Sequence, residues 1–258
     1  MPEARAVEHV GPLAATAASP VTRSAVLMLA VWRPRHIAWG LMQLVLGPFT
    51  SPSTPAMRWR KVLGSGHEGG FGLRPAWNRL GLFCAFDCTE SARHWLATSA
   101  EAAQWKRRAV QWLAVLVEPT ASRGSWSGHT LAPIEVESSA GSPVIVASLT
   151  RASIRPHRAR RFWSLSPAAE TSLAQAPGCL MAVGLGEAPL LRQATFSLWQ
   201  SQSAMDAYAR SGAHLEAIRQ AYSQGFFSES MFTRFRVLEL SGAWPGLDTL
   251  NAAQADNA

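Results

Sequence analysis

The sequence predicts an α+β fold in which two tandem split βαβ halves close on each other as a pseudo-twofold α/β barrel. Three observations predict it: an internal repeat, a shared order of strand-like and helix-like periodicities, and enough apolar residues to fill a large core. The repeat shows at both ends of its unit. Gly124-Ser-Trp126-Ser-Gly128 recurs as Gly242-Ala-Trp244-Pro-Gly246, and Leu27 to Arg33 aligns with Ile145 to Arg151 at the same spacing of 118 residues. Between these markers Leu63-Gly-Ser-Gly66 parallels Val183-Gly-Leu-Gly186, and Phe83 to Phe86 parallels Phe196 to Trp199.

In the first half, alternating apolar residues place strands near residues 25–32, 57–64, 79–87 and 112–118, and helical spacing places helices around 36–46 and 89–106. In the second half the strands lie near 144–151, 179–184, 191–200 and 232–241. Its helices lie around 155–163 and 203–222, with Ser203 as N-cap and a break at Ser211-Gly212. Each half therefore reads strand, helix, strand, strand, helix, strand. A four-stranded sheet with helices on one face leaves the other face bare, and two such sheets in one chain cover each other. The resulting divisions are a mobile extension over 1–22, a first half over 23–141, a second half over 142–250 and a tail over 251–258.

Composition narrows the function classes. Of 258 residues, 48% are apolar and 16% charged, with 11 Trp against 2 Tyr, which fits either a Trp-rich core or an aromatic-lined cavity for an apolar ligand. The net charge of +7 comes almost wholly from arginine. Nucleic acid, an anionic membrane face or an acidic redox partner could each answer it, but no nucleic-acid motif accompanies it. Cys84, Cys88 and Cys179 have no paired spacing, so a disulfide framework, a zinc site and an iron–sulfur cluster are not expected, and a reducing, cytoplasmic setting is. The longest apolar run, Ala25 to Trp32, is far below the roughly 18 residues of a membrane span. The acids Glu3 and Glu8 and the prolines Pro12 and Pro20 spoil a signal-peptide pattern.

Several stretches taken together resemble the spheroidene monooxygenase family of carotenoid-biosynthesis oxygenases, over about residues 25–248. They are Lys61 to Gly66 with Gly70-Phe-Gly72 and Pro75-Ala-Trp77, then Leu149 to Ala152 and Phe162-Trp163. Next come His214 to Arg219, Phe226-Phe227, Glu229, Met231 to Phe235 and the closing Gly242 to Gly246. The resemblance implies two ferredoxin-like (split βαβ) halves in a dimeric α/β barrel, in agreement with the repeat. It also implies oxygenation of an acyclic carotenoid at an end carbon to give a 2-keto product, with haem b as the iron cofactor and reduced ferredoxin as electron donor. The chain departs from the pattern at Phe226 and Phe86, where Trp is expected, and in its long N-terminal extension.

Inserting oxygen into an unactivated C–H bond exceeds side-chain acid–base chemistry and calls for a redox cofactor with an axial ligand. His214 is the first candidate: it opens a helix, whose dipole favours neutral imidazole, beside Ala217, Ile218 and Ala221 at helical spacing. A capping or surface histidine is the plainer reading. Cys179 is the rival ligand, although a packed thiol explains it equally. Arg219 and Arg234 are candidates for the haem propionates, or else ordinary partners of Glu216 and Glu229. Trp163, Trp199, Phe226, Phe227 and Phe232 form the expected wall of the substrate pocket. The loop Gly64 to Gly69 matches a dinucleotide fingerprint, but the glycines and proline that follow rule out the helix it requires. The run Arg151, Arg155, Arg158, Arg160 and Arg161 reads as a solvated face; the alternatives are docking of an acidic ferredoxin or contact with anionic lipid at the inner membrane. A cofactor-free oxygenase and a non-catalytic haem or isoprenoid binder remain the competing functions.

Overall fold

A computed structural model describes residues 21–50, 54–70, 74–135, 145–188, 190–210 and 212–247. The expected extension at 1–22, apart from its last two residues, and the tail at 251–258 lie outside these. Eight antiparallel strands close into one barrel in the order β1-β3-β2-β6-β7-β5-β8-β4. Strands β1 (Ser24–Trp32), β2 (Met57–Gly66), β3 (Pro75–Phe86) and β4 (Ala109–Gly124) build the first sheet. Strands β5 (Val146–Ile154), β6 (Cys179–Ala188), β7 (Arg192–Trp199) and β8 (Phe227–Gly242) build the second. Both sheets have the spatial order 4-1-3-2 of a split βαβ unit. At each junction a strand pairs with its own counterpart, β2 with β6 and β4 with β8, as a twofold axis demands.

The first strands of the two halves superpose at a spacing of 122, four more than the sequence alignment of Leu27 with Ile145 gives, because β1 and β5 are both nine residues long and begin at Ser24 and Val146. The 118-residue spacing holds for β4 and β8, both sixteen residues long. The loops between absorb the difference. Helix α1 (Ile37–Leu46) follows β1, while the expected helix at 89–106 divides at Ser99 into α2 (Thr89–Thr98) and α3 (Ala100–Arg108). Ser99 Oγ accepts from Ala102 N at 3.1 Å, so this residue caps α3 as it ends α2. In the second half α4 (Ala159–Ala174) continues eleven residues past the expected end, through Pro167. Helices α5 (Gln202–Ala209) and α6 (Gly212–Ser223) follow, and the N-cap of α5 is Ser201, not Ser203, its Oγ accepting from Ala204 N at 3.2 Å.

Inside the barrel, alternate residues of all eight strands meet: Leu27 and Leu29, Leu63, Phe83, Val115, Leu149, Val183, Phe196 and Phe235 are all at most 1% exposed. The two Gly-x-Trp-x-Gly repeats close its ends. They leave β4 and β8, which run antiparallel, so Trp126 plugs one mouth and Trp244 the other. All four glycines have φ between +79° and +103°, where a side chain is strained. At Gly124 a Cβ would also collide with the carbonyl of Ser230, whereas at Gly128 it would meet open space.

Gly128→Ala is therefore expected to cost about 1 kcal/mol, from conformational strain alone. Gly124→Ala should cost a further 1–3 kcal/mol, roughly the range for forced overpacking. Urea unfolding of the two variants separates these contributions; equal losses would mean that the backbone approach at Ser230 is not limiting.

Candidate functional site

Each sheet has a second face, turned to its own helices, and here the halves differ. In the first half the cross-strand neighbours on this face are Cys84, Val26 and Leu116, then Leu82, Met28 and Ala114. All are at most 1% exposed. They pack with Trp32, Trp95 and Trp105 under α1, α2 and α3. The matching rows of the second half are Ser197, Ser148 and Arg234, then Thr195, Thr150 and Phe232. Four hydroxyls stand where Val26, Met28, Leu82 and Cys84 do, while Arg234 and Phe232 take the places of Leu116 and Ala114. Among the described residues the buried apolar cluster in this layer is Leu173, Trp199 and Met205, smaller than that of the first half; Ala152, Ile154, Ala221 and Phe226 are buried outside it, and Ser148, Thr150, Thr195 and Phe232 remain partly open.

The helices follow suit. Helices α2 and α3 lie directly on β1 and β4; of their counterparts, α5 lies on β7, but α6 leans chiefly on α4 and α5. An open cleft of about 1190 Å³ runs between α4 and α5, bounded by Thr171, Ser172, Gln175, Gln200, Ala204 and Tyr208. The sheet residues Ser148, Thr150, Thr195, Ser197 and Phe232 do not line this cleft, which is bounded by the C-terminal part of α4, the loop after it and α5. On the sheet, Ser148 and Ser197 Oγ are 2.9 Å apart, and Trp199 Nε1 donates to Ser197 Oγ at 2.9 Å.

Of the expected pocket wall, the structure gathers one part. Trp163, Phe226 and Phe227 meet through Phe162, with ring centroids 5.3, 6.4 and 6.0 Å from it. Trp163 Nε1 donates to Leu190 O at 2.9 Å, which pins the indole at the end of α4 nearest β8. Trp199 stands at the other end of β5, beside Val146, with its ring tilted 35° against Tyr208 at 5.3 Å. Eight residues of strand separate the two ends, about 26 Å. Phe232 lies between them on the sheet, next to Thr150.

His214 is the third residue of α6, the helix that stands off the sheet; its side chain lies outside the described residues. Arg219 is exposed on the same helix. Arg234 reaches from the sheet to Asp206 of α5 at 2.7 Å, so its partner is neither Glu216 nor Glu229. The thiol of Cys179, the rival ligand, is pushed up to about 11, chiefly by burial and against a lowering by the Met181 backbone, and stays protonated at neutral pH. Burial likewise raises Tyr208 to about 12, against its bond with Ser172 and with a smaller push from Cys179. His67 is exposed, in a three-residue turn after β2 in place of the helix that a dinucleotide site needs. Among the described residues no cluster of His, Cys, Asp and Glu could hold a metal ion by itself.

The sequence reading misplaced Arg151. Arg155, Arg158, Arg160 and Arg161 are exposed, as a solvated face should be, but Arg151 is 1% exposed and points into the barrel. It sits at an inward position of β5, where Ala147 and Leu149 also point, and bridges Glu187 at 3.2 Å and Glu229. Around it, Trp126 Nε1 donates to Glu187, Lys61 Nζ lies 3.5 Å from Glu187 and donates to Ser127 Oγ at 3.0 Å, and Ser125 Oγ donates to Glu229 at 2.9 Å. This network ties the Trp126 plug to both halves. The alternation Leu149-Thr-Arg151 was the available signal.

Fold and cleft together define a two-half dimeric α/β barrel with one half packed solid and the other open. No protein-family model matches the chain. A protein named spheroidene monooxygenase from Rubrivivax gelatinosus is 47% identical over 86% of this chain and 84% of its own, and one from Rhodobacter capsulatus is 35% identical over 83% and 89%. The chain belongs to the spheroidene monooxygenase family and is an oxidoreductase. Among solved structures, an aldoxime dehydratase shares the fold with a TM-score of 0.57 at 13% identity, over 92% of this chain and 90% of that one.

The buried network gives two expected outcomes. Arg151→Leu strands Glu187 and Glu229 in the barrel mouth, at a cost of about 3–5 kcal/mol, and its melting temperature should fall by roughly 10 °C. Burial alone would raise the pKa of Glu229, but bonds from Gly128 N, Ser125 Oγ, Ser127 N and Arg151 outweigh it and hold the carboxyl at about 2. A folded pKa below the ordinary 4.5 contributes stability above pH 4.5 that is lost as the pH falls towards about 2. Acid unfolding of Glu229→Gln should show a shallower pH dependence in that window than the parent protein.

Proposed function

We propose that the chain introduces a keto group at C-2, an end carbon of an acyclic carotenoid such as spheroidene, using haem b, O2 and reduced ferredoxin as external electron donor. One observation supports the site above all: the helix face of the second sheet carries the short side chains Ser148, Thr150 and Thr195 where the first half is filled by Val26, Met28 and Leu82. The residues present fit a flat porphyrin: small groups below, an overlying helix that leans away from the sheet, and a guanidinium at the edge. In this reading His214 would hold the haem iron, and Arg234 and Arg219 would hold the propionates, Arg234 sharing its charge with Asp206. Haem, when bound, supplies the oxygen activation that no side chain here can.

The rest falls to the protein. Phe232 on the sheet and the group Trp163, Phe226 and Phe227 at one end offer an apolar, water-excluding wall for the polyene terminus, and Trp199 closes the far end beside Tyr208. The two names among the relatives, both spheroidene monooxygenase, support the substrate class. The remaining partners proposed are a ferredoxin-type donor and the inner membrane in which carotenoids dissolve, with the protein itself cytoplasmic. Among the described residues no helix is long and apolar enough to cross a membrane.

The purified protein should show an intense Soret band, and His214→Ala should lose most of it together with turnover. Full haem retention and activity in that variant would remove His214 as ligand, and activity in haem-free protein would replace the cofactor reading altogether. A second test fills the helix face of the second sheet from the protein's own other half: Thr150→Met with Thr195→Leu copies the Met28–Leu82 pair. This double variant should remain folded, melt higher, and lose both haem and carotenoid product.

A further inference from the structure

The outward face of α1 is as apolar as its inward one. Ile37 to Leu46 contains no charged residue, and the turn that continues it ends at Phe49. Met42 is 46% exposed, Val45 65%, Leu46 48% and Phe49 85%. These positions fall at i, i+3, i+4 and i+7, a single helical stripe turned away from the sheet. Bulky apolar groups left this open in one contiguous stripe mark an interaction surface.

Charge says what covers it. Exposed Arg35 lies at the N-terminal end of the same stripe, one helical step from Ala38 and two from Met42. Arg33 sits beside it and donates to the Arg107 backbone carbonyl at 2.9 Å, while Arg108 lies over the Trp39 ring at 4.4 Å, so four arginine residues gather at this end of the helix. None of the four forms an ion pair among the described residues. The neighbouring acids are spent elsewhere, Glu101 on Arg60 at 2.6 Å and Asp87 on Arg58 at 3.0 Å. An apolar ridge about 15 Å long, flanked by uncompensated arginine, matches an anionic bilayer surface: side chains sink below the headgroups and guanidiniums meet the phosphates.

We infer that α1 and the turn after it form a membrane-docking face, with Met42, Val45, Leu46 and Phe49 inserted among anionic lipids and Arg33, Arg35, Arg107 and Arg108 against their headgroups. This face lies on the first half, so it stands or falls independently of the haem reading. It also differs from the solvated arginines of α4, which carry no apolar ridge.

Co-sedimentation with vesicles tests it. The full chain should bind vesicles of mixed phosphatidylglycerol and phosphatidylcholine, and bind phosphatidylcholine vesicles much less. Val45→Glu with Phe49→Glu should lower the bound fraction about tenfold at an unchanged melting temperature, and Arg33→Glu with Arg35→Glu should abolish the preference for anionic lipid. The inference is overturned if the parent protein ignores anionic vesicles, or if either double variant binds like the parent. It is equally overturned if the chain is a dimer that Val45→Glu with Phe49→Glu dissociates without any lipid binding, since the ridge would then belong to a second copy.

Discussion

Everything in this molecule follows from the fact that a sheet has two faces and each must be covered. Closing two four-stranded sheets into one barrel covers both inner faces at once, with Leu27, Phe83, Leu149, Phe196 and Phe235 shared between the halves. It leaves two outer faces, and each half must cover its own with helices. The first half does so with apolar bulk. The second has the same strands in the same order but carries Ser148, Thr150, Thr195 and Ser197 where the first carries Val26, Met28, Leu82 and Cys84. Removing that bulk forfeits several buried methylene-sized groups, each worth about 0.8 kcal/mol. A duplicated fold can carry such a loss in one copy because the shared interior and the filled copy hold the barrel together.

The barrel ends show the same division of labour. Both are plugged by a tryptophan on a strained Gly-x-Trp-x-Gly turn, but only the Trp126 end contains a buried guanidinium. A lone charge at the position of Arg151 would be untenable in an apolar interior, and Glu187 and Glu229 make it tolerable. The cluster draws on β2, the turn after β4, β5, β6 and β8, so it forms only when the two halves are in register. At the other end the guanidinium of Arg79 lies over the Trp244 ring at 5.4 Å. The ionic plug therefore selects one docking of the sheets, while the apolar contacts supply the stabilisation.

The sequence made the duplication legible because glycine and tryptophan are hard to substitute in a tight plug. The same markers gave the correct spacing for β4 and β8 and misaligned β1 with β5 by four residues, since the Gly-x-Trp-x-Gly spacing does not transmit across loops of unequal length. Helix α4 runs on past the expected end at 163 and through Pro167, whose missing N–H removes one bond from a sixteen-residue helix that packs on α6 and β6. Arg151 was grouped with Arg155 to Arg161 by proximity in the chain, although strand alternation turns it inward and sends the others to solvent. The aromatic wall was only partly legible: chain order cannot show that Trp199 and Phe227 lie at opposite ends of β5.

The hollow of the second half and the ridge of the first are related through the seam between β2 and β6. That junction has only two paired positions, Gly64 with Gly186 and Ser65 with Leu185, against eleven between β4 and β8. Helix α1 lies over β2 and β3 on one side of it and α4 lies over β6 on the other, and Leu44 of α1 approaches within 3.8 Å of where a side chain at Gly64 would begin. A surface that rests on lipid through α1 is thus one seam away from the helix that roofs the cleft. For a substrate with almost no solubility in water, a short path along apolar surface is worth more than a wide opening to solvent. With the proposed docking face on α1 and the proposed substrate site on the second half, the packed half would hold the membrane and the open half the polyene, a physical reason for two copies of one fold to diverge on their outer faces and not on their shared interior.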